Sequence, residues 1–254
     1  MLHVKQVICF GFLGWVVLWS AGRPALAQEI TACVDDYPPY HVWDAKTGTW
    51  SGINVETLRQ IAARAGLALR FTPDIPFKRC LTMMQKGDAD IMAGLLYDPD
   101  RASYMELIPY RDHSTKLFIT ASPDVTIRSF DDLEGLRVGT LTGYKYFPEF
   151  DDAGDGFTKV PVQKVDQLIA MLVNGRTDAA IISEMHYIGL KGRFDQLDRV
   201  RIADYFYNAE NLVHISVARK GRAFAHIDRI RRAIAELKRE DAFERIIRNE
   251  LGTM

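Results

Sequence analysis

Two stretches of the chain, CLTMMQKGDADIMAG (residues 80–94) and LIAMLVNGRTDAAII (168–182), follow one plan: an amphipathic helix, a glycine, one or two polar residues, an aspartate, then an apolar strand. A helix that stops at glycine and feeds a buried strand is the second half of a βαβ crossover. Its use twice predicts two similar α/β half-units, and hence two lobes.

The flanking segments agree. ITACV (30–34) reads as a strand, NVETLRQIAARAG (54–66) as an amphipathic helix stopped by Gly66, LALRF (67–71) as a strand, and PFKRCLTMMQKG (76–87) as a helix opened by Pro76 and closed by Gly87. In the second series KLFITA (116–121), LRVGTL (136–141) and TKVPV (158–162) read as strands and YKYFPEF (144–150) as a short helix. This alternation predicts a mostly parallel sheet covered by helices. Near the C-terminus NLVHISVARKG (211–221) reads as a strand, after which Ile227, Ile230, Ile234 and Leu237 recur at helical spacing. That stripe faces a core, and the basic residues beside it are a solvated surface.

The first residues have a different character. Lys5, an apolar run from Val7 to Trp19, and the small residues before Gln28 form a secretory signal peptide cut after Ala27. A retained membrane anchor is the rival reading, but the apolar run is short for a span and ends at Ser20 and Gly22. The whole chain has 32 Lys and Arg against 33 Asp and Glu, a formal charge of −1, and without Lys5 and Arg23 the balance is 30 against 33, or −3. Neither value favours nucleic acid or an anionic membrane as partner. Removing Cys9 with the leader leaves Cys33 and Cys80. In an exported chain this parity invites a disulfide, with two buried free thiols as the alternative.

In order along the chain, DDYPPY (35–40), GINVETLRQIA (52–62), KGDADIMAG (86–94), DPDRASYMELIPY (98–110), SFDDLEGLRVGTLTG (129–143) and NGRTDAAIISE (174–184) resemble the periplasmic solute-binding proteins of the amino-acid type, family 3, that serve ABC transporters. PFKRC (76–80) is similar to a W/F-K-R variant found in members whose ligands are mostly unassigned. The resemblance, running from about Ile30 to the C-terminus, implies a two-lobed periplasmic-binding-protein-like (type II) α/β fold with a two-strand hinge, closing on its ligand. It divides the chain into a leader (1–27), lobe 1 (28–120 and 208–254) and lobe 2 (121–207).

Local sequence makes Arg101 a solvated residue after the Asp98-Pro99-Asp100 turn. The resemblance instead makes it the clamp for a ligand carboxylate, a role that suits its planar, permanently charged fork of donors. Tyr37 corresponds to the aromatic that covers the ligand, or else plugs the lobe's edge. Thr142, Gly143 and Tyr144 occupy a strand-to-helix turn whose amides would favour an anion, or a plain connection. Ser183 and Glu184 follow an apolar strand at the cleft end, and Arg79 is either a second cleft cation or a structural pair. The chain departs from amino-acid binders where Leu95 and Leu96 replace Ser or Thr and Ser183 replaces Asp, which bears on recognition of an α-ammonium group. The histidines remaining after the leader are scattered without metal-ligand spacing, and no G-x-S-x-G, Walker loop or Rossmann fingerprint occurs, so neither metal nor cofactor is expected.

The implied function is that of a monomeric periplasmic receptor passing a small polar, carboxylate-bearing solute to an inner-membrane ABC permease. The alternatives are a dehydratase-like enzyme on the same fold, for which Glu184 or His186 would be the acid or base, and a ligand sensor docking on a membrane receptor.

Overall fold

The computed structural model describes residues 27–112, 115–191, 193–208 and 212–252. The expected leader, except Ala27, lies outside the described residues. Among those described, no helix is long and apolar enough to cross a membrane.

From the N-terminus, β1 (Glu29–Ala32) leads through the small hairpin β2 (Val42–Asp44) and β3 (Thr49–Ser51) to α1 (Ile53–Arg64), β4 (Ala68–Phe71), α2 (Phe77–Lys86), β5 (Ile91–Leu96), α3 (Pro99–Tyr104) and β6 (Met105–Asp112). Next come β7 (Lys116–Thr120), β8 (Arg137–Leu141), α4 (Pro148–Asp151), β9 (Thr158–Val162), α5 (Val165–Val173), β10 (Ala179–Ser183), α6 (Glu184–Leu190) and β11 (Arg201–Tyr207). The chain then returns through β12 (Leu212–Ala218), α7 (Ile227–Arg239) and α8 (Ala242–Gly252).

Two five-stranded sheets result, in the orders β4-β1-β5-β12-β6 and β11-β7-β10-β8-β9, each the centre of one lobe. Neither is mostly parallel. In each sheet the βαβ strands pair in parallel, and one strand that connects the lobes, β12 in the first sheet and β7 in the second, runs against them and pairs antiparallel on both sides, with β5 and β6 and with β10 and β11. One position also differs from the expected division. Residues 116–120, expected to end lobe 1, pair with β10 and β11 in the second sheet, so the passage lies between Asp112 and Lys116. An apolar strand announces its burial but not which sheet receives it.

The repeated helix-glycine-aspartate-strand plan does the same work in both lobes. Gly87 ends α2 at φ 83°, where an added Cβ would lie 2.6 Å from the Lys220 carbonyl oxygen, and Gly175 follows α5 at φ 66°. Asp90 then accepts the backbone N–H of Thr31 in β1 at 2.7 Å and of Ala223 at 3.0 Å. Asp178 likewise accepts the N–H of Arg137 in β8 at 2.8 Å, and its other oxygen takes the Arg137 guanidinium at 2.7 Å. Each aspartate fastens the start of its strand to the neighbouring strand.

Helix α2 buries Phe77, Cys80, Leu81 and Met84, a stripe that seats it on the first sheet. The C-terminal stripe behaves as its spacing requires: Ile230, Ile234 and Leu237 are buried in the first lobe's core, and the helical pattern breaks at Asp241, whose φ is 50°. Residues 144–150 form no continuous helix. Phe147 precedes Pro148, which disfavours helical backbone, and it is extended at φ −157°, leaving only Pro148–Asp151 helical.

Cys33 and Cys80 are disulfide-bonded across a sequence separation of 47, with Cα atoms 5.5 Å apart, joining the end of the first strand to α2. Closing a loop of that length restricts the unfolded chain by about 4 kcal/mol in the entropy model. The double substitution Cys33→Ala, Cys80→Ala is therefore expected to cost about 2 to 4 kcal/mol of stability. Denaturant unfolding of oxidised protein should show that loss, and an unchanged midpoint would mean that the bridge contributes nothing.

Candidate functional site

The loop leaving β1, residues 34–41, reaches across to the second lobe, and a cavity of about 60 Å³ lies between the two. Arg101 lines it. Its backbone follows from the local sequence, because Asp98 caps α3 by accepting the Arg101 N–H at 3.0 Å and Pro99 occupies the first turn. The side chain, however, is only 5 % exposed. Its guanidinium donates to the Leu96 carbonyl at 3.3 Å and, across the cleft, to the Gly143 carbonyl at 2.7 Å, and it lies 5.7 Å above the Phe77 ring. Burial pulls its pKa below the ordinary value.

Tyr37, Tyr144 and Ser183 line the same cavity. The hydroxyls of Tyr37 and Ser183 are 3.1 Å apart, the Tyr37 ring stacks on His186 at 3.6 Å, and the Tyr144 ring approaches at 5.2 Å. Tyr37 thus joins the lobes as well as facing the cavity. Tyr144 donates its hydroxyl proton to Asp35 at 2.8 Å and packs 4.3 Å from Phe77.

Other candidates stand elsewhere. Gly143 is not at a helix N-terminus, since residues 144–147 are not helical, and it offers Arg101 a carbonyl instead of offering an anion its amides. Thr142 donates to the Val162 carbonyl at 3.0 Å, away from the cavity lining. Glu184 is exposed at the start of α6. Arg79 is exposed because the buried stripe of α2 passes through Phe77, Cys80, Leu81 and Met84. Neither of these last two reaches the cavity.

Sequence reasoning missed Asp35, His41, Asn54, Arg111 and Lys116, all of which line it. Arg111 donates to the Tyr110 hydroxyl at 3.0 Å, Tyr110 donates to Asn54 Oδ1 at 2.9 Å, and the Asn54 amide lies 3.3 Å from His41 Nε2. Because the amide is a donor, His41 carries its proton on Nδ1. That nitrogen and Asp35 Oδ1, 3.9 Å apart, are both buried without a hydrogen-bond partner. Burial pushes the Asp35 carboxyl up to about 7 and the His41 imidazole down to about 3. Lys116, 5 % exposed, is pulled down to about 7 by the same desolvation. Only its place at the start of an apolar strand marked it in the sequence, and such a lysine reads as a solvated end.

Three ion pairs close the rim: Lys145 with Asp98 at 3.1 Å, Lys164 with Asp74 at 2.5 Å and Arg193 with Asp36 at 3.1 Å. His186, fully buried, donates from Nδ1 to the Pro38 carbonyl, while its Nε2 has no partner. The lobes are therefore closed on one another in this structure.

A sequence model of the bacterial extracellular solute-binding proteins, family 3, matches residues 30–253. Among curated proteins the chain is 25% identical over 226 residues to the amino-acid-binding protein AabA of Dichelobacter nodosus, covering 86% of this chain and 87% of that protein. Among solved structures it is similar to an ancestral arginine-binding protein bound to glutamine, with a TM-score of 0.74, 21% identity and coverage of 90% of this chain and 100% of that one. It is also similar to an amino acid ABC transporter substrate-binding protein, AbpA, from Streptococcus pneumoniae bound to L-arginine, with a TM-score of 0.73, 21% identity and coverage of 88% and 94%. At such identities the structural likeness speaks for the fold alone.

His186 supplies a pH test. Burial lowers its pKa from 6.5 to about 3, so its contribution to stability is complete above 6.5 and is lost as pH falls through 3. Asp35, raised from 3.8 to about 7, works in the opposite sense, its contribution being complete below 3.8 and lost as pH rises through 7. Melting curves of wild type and His186→Gln between pH 7 and 3 separate the two effects. The wild type should lose more stability on acidification than the variant, and parallel curves would show that His186 does not carry the linkage.

Proposed function

Because the chain belongs to the bacterial extracellular solute-binding proteins of family 3, we propose that it captures a small polar solute bearing a carboxylate, an amino acid or a related compound, and presents it to an inner-membrane ABC permease. The observation that carries this reading is Arg101, a buried guanidinium that lines the interlobe cavity and touches both lobes. A carboxylate entering the cavity meets donors that already bridge the cleft, so binding and closure are coupled through one side chain. A ligand that contacts both lobes binds the closed form better and shifts the population towards it. Export to the periplasm follows from the leader read in the first 27 residues, and the closed cleft is complete within a single chain, which fits a monomer.

Binding without turnover fits the cavity better than catalysis by the residues first considered. Glu184 is exposed outside the lining, and His186 is committed through Nδ1 to the Pro38 carbonyl. A general acid or base must come within hydrogen-bond reach of the reacting group. Neither residue faces the space a solute would fill.

A thermal-shift screen of amino acids, organic acids, amines and small peptides tests the reading, since a ligand specific to the folded state raises its melting temperature by mass action. Carboxylate-bearing compounds should give the shifts. With the best of them, Arg101→Ala is expected to weaken binding about 30-fold or more, the effect of breaking a desolvated, hydrogen-bonded ion pair. Calorimetry on the variant, paired with its melting curve without ligand, gives the decision. Lowered stability with unchanged affinity would make Arg101 a bridge between lobes and nothing more.

A further inference from the structure

The interlobe cavity is lined by more positive charge than one carboxylate can answer. Besides Arg101, both Arg111 and Lys116 line it, and among the described residues none of the three forms an ion pair with a carboxylate. Lys145, at the edge, is already paired with Asp98. Among the described residues the one acid in the lining is Asp35, which accepts the Tyr144 hydroxyl on one oxygen and whose carboxyl is pushed up to about 7 by burial.

Lys116 is the most instructive of the three. It is 95 % removed from solvent, with no side-chain hydrogen bond or ion pair to a described residue, and its Nζ lies 5.7 Å from the centroid of the Tyr146 ring. Two charges are felt at Lys116 without touching it, Asp151 as an opposite charge and, less strongly, Arg111 as a like one. Its own guanidinium is stacked 5.0 Å over Tyr40 and held by the Tyr110 hydroxyl and the Asp112 carbonyl, all neutral partners. Burying an ammonium near a guanidinium with no carboxylate in contact is costly. A core position would be filled more stably by an apolar chain, so the lysine is retained at the expense of the empty state.

We propose that Lys116 and Arg111 form a second anion subsite facing the Arg101 subsite, and that the solute is a short dicarboxylate, with or without an amino group. The proposal rests on the solute-binding reading above and deepens it. Two carboxylates would balance two of the three cations and leave the third to the neutral hydroxyls and carbonyls around it. A basic amino acid would instead add a cation to a lining that already has an excess. The small volume, about 60 Å³, sets the chain between the two carboxylates as short.

The test uses the mature full-length chain and matched pairs of probes that differ by one charge: L-aspartate with L-asparagine, and succinate with succinamate, together with L-arginine and inorganic phosphate. Calorimetry should find one dianion bound at least about 30-fold more tightly than its amide, the ratio typical of one desolvated charge pair. In Lys116→Met that ratio should collapse to within about threefold. The melting temperature of the empty variant should stay the same or rise, because an unpaired buried charge has been removed. A lysine with a merely structural role would do the reverse, lowering the melting temperature and leaving the ratio intact. Should Lys116→Met not fold, the proposal is overturned on that count unless Lys116→Gln folds and loses the preference. Equal binding of aspartate and asparagine, preference for arginine, or preference for phosphate over every dicarboxylate would each overturn the subsite while leaving the solute-binding reading in place. If no probe binds and the wider screen is also silent, both fall together.

Discussion

Everything in the cleft depends on the chain passing between its sheets twice, side by side. Asp112 pairs with Leu212 on the first sheet and Lys116 with Tyr207 on the second, so the outgoing and returning strands meet at both ends of the passage. This places the charged residues on either side of the outgoing passage, Arg111 before it and Lys116 after it, at the foot of the interlobe space. Arg111 shares the first lobe with Arg101, whereas Lys116 is anchored in the second sheet, so lobe movement changes the position of Lys116 relative to both. The disulfide supplies a complementary anchor. It fixes the residue just before the loop that carries Asp35 and Tyr37, so that loop approaches the second lobe from a braced base.

The legible part of the fold was the part governed by local physics. Helix stops at Gly87 and Gly175, the stripe of α2 and the apolar stripe of α7 all follow from spacing and from the backbone freedom of glycine. The short helix over 144–150 failed for an equally local reason, the proline after Phe147, and this was readable. What period-2 patterning does not encode is sheet membership, and so the passage near residue 120 was set a few residues late. Parallel and antiparallel strands likewise share one alternation, which hid the mixed character of both sheets.

The site divides along the same line. Arg101 and Tyr37 stood out through ordered motifs, and the structure brings both to the cavity with Tyr144 and Ser183. Arg111 and Lys116 did not, because a charged residue at the end of an apolar strand is indistinguishable from the ordinary solvated edge until a second lobe covers it. Gly143 carried the right position with the wrong polarity: the backbone group presented to Arg101 is an acceptor, and the non-helical residues that follow supply no helix dipole.

The rim pairs share an orientation. Asp36, Asp74 and Asp98 all belong to the first lobe, and their partners Arg193, Lys164 and Lys145 to the second. Singly, pairs at a solvated rim are worth little. Ranged with one polarity on each lip, they give the two lobes facing potentials of opposite sign, which act before any contact is made. In water at physiological ionic strength that attraction reaches about 8 Å, and it shortens as salt rises. The gap over which the open cleft begins to draw shut is therefore set by the surrounding electrolyte, independently of how tightly the closed cleft holds its solute.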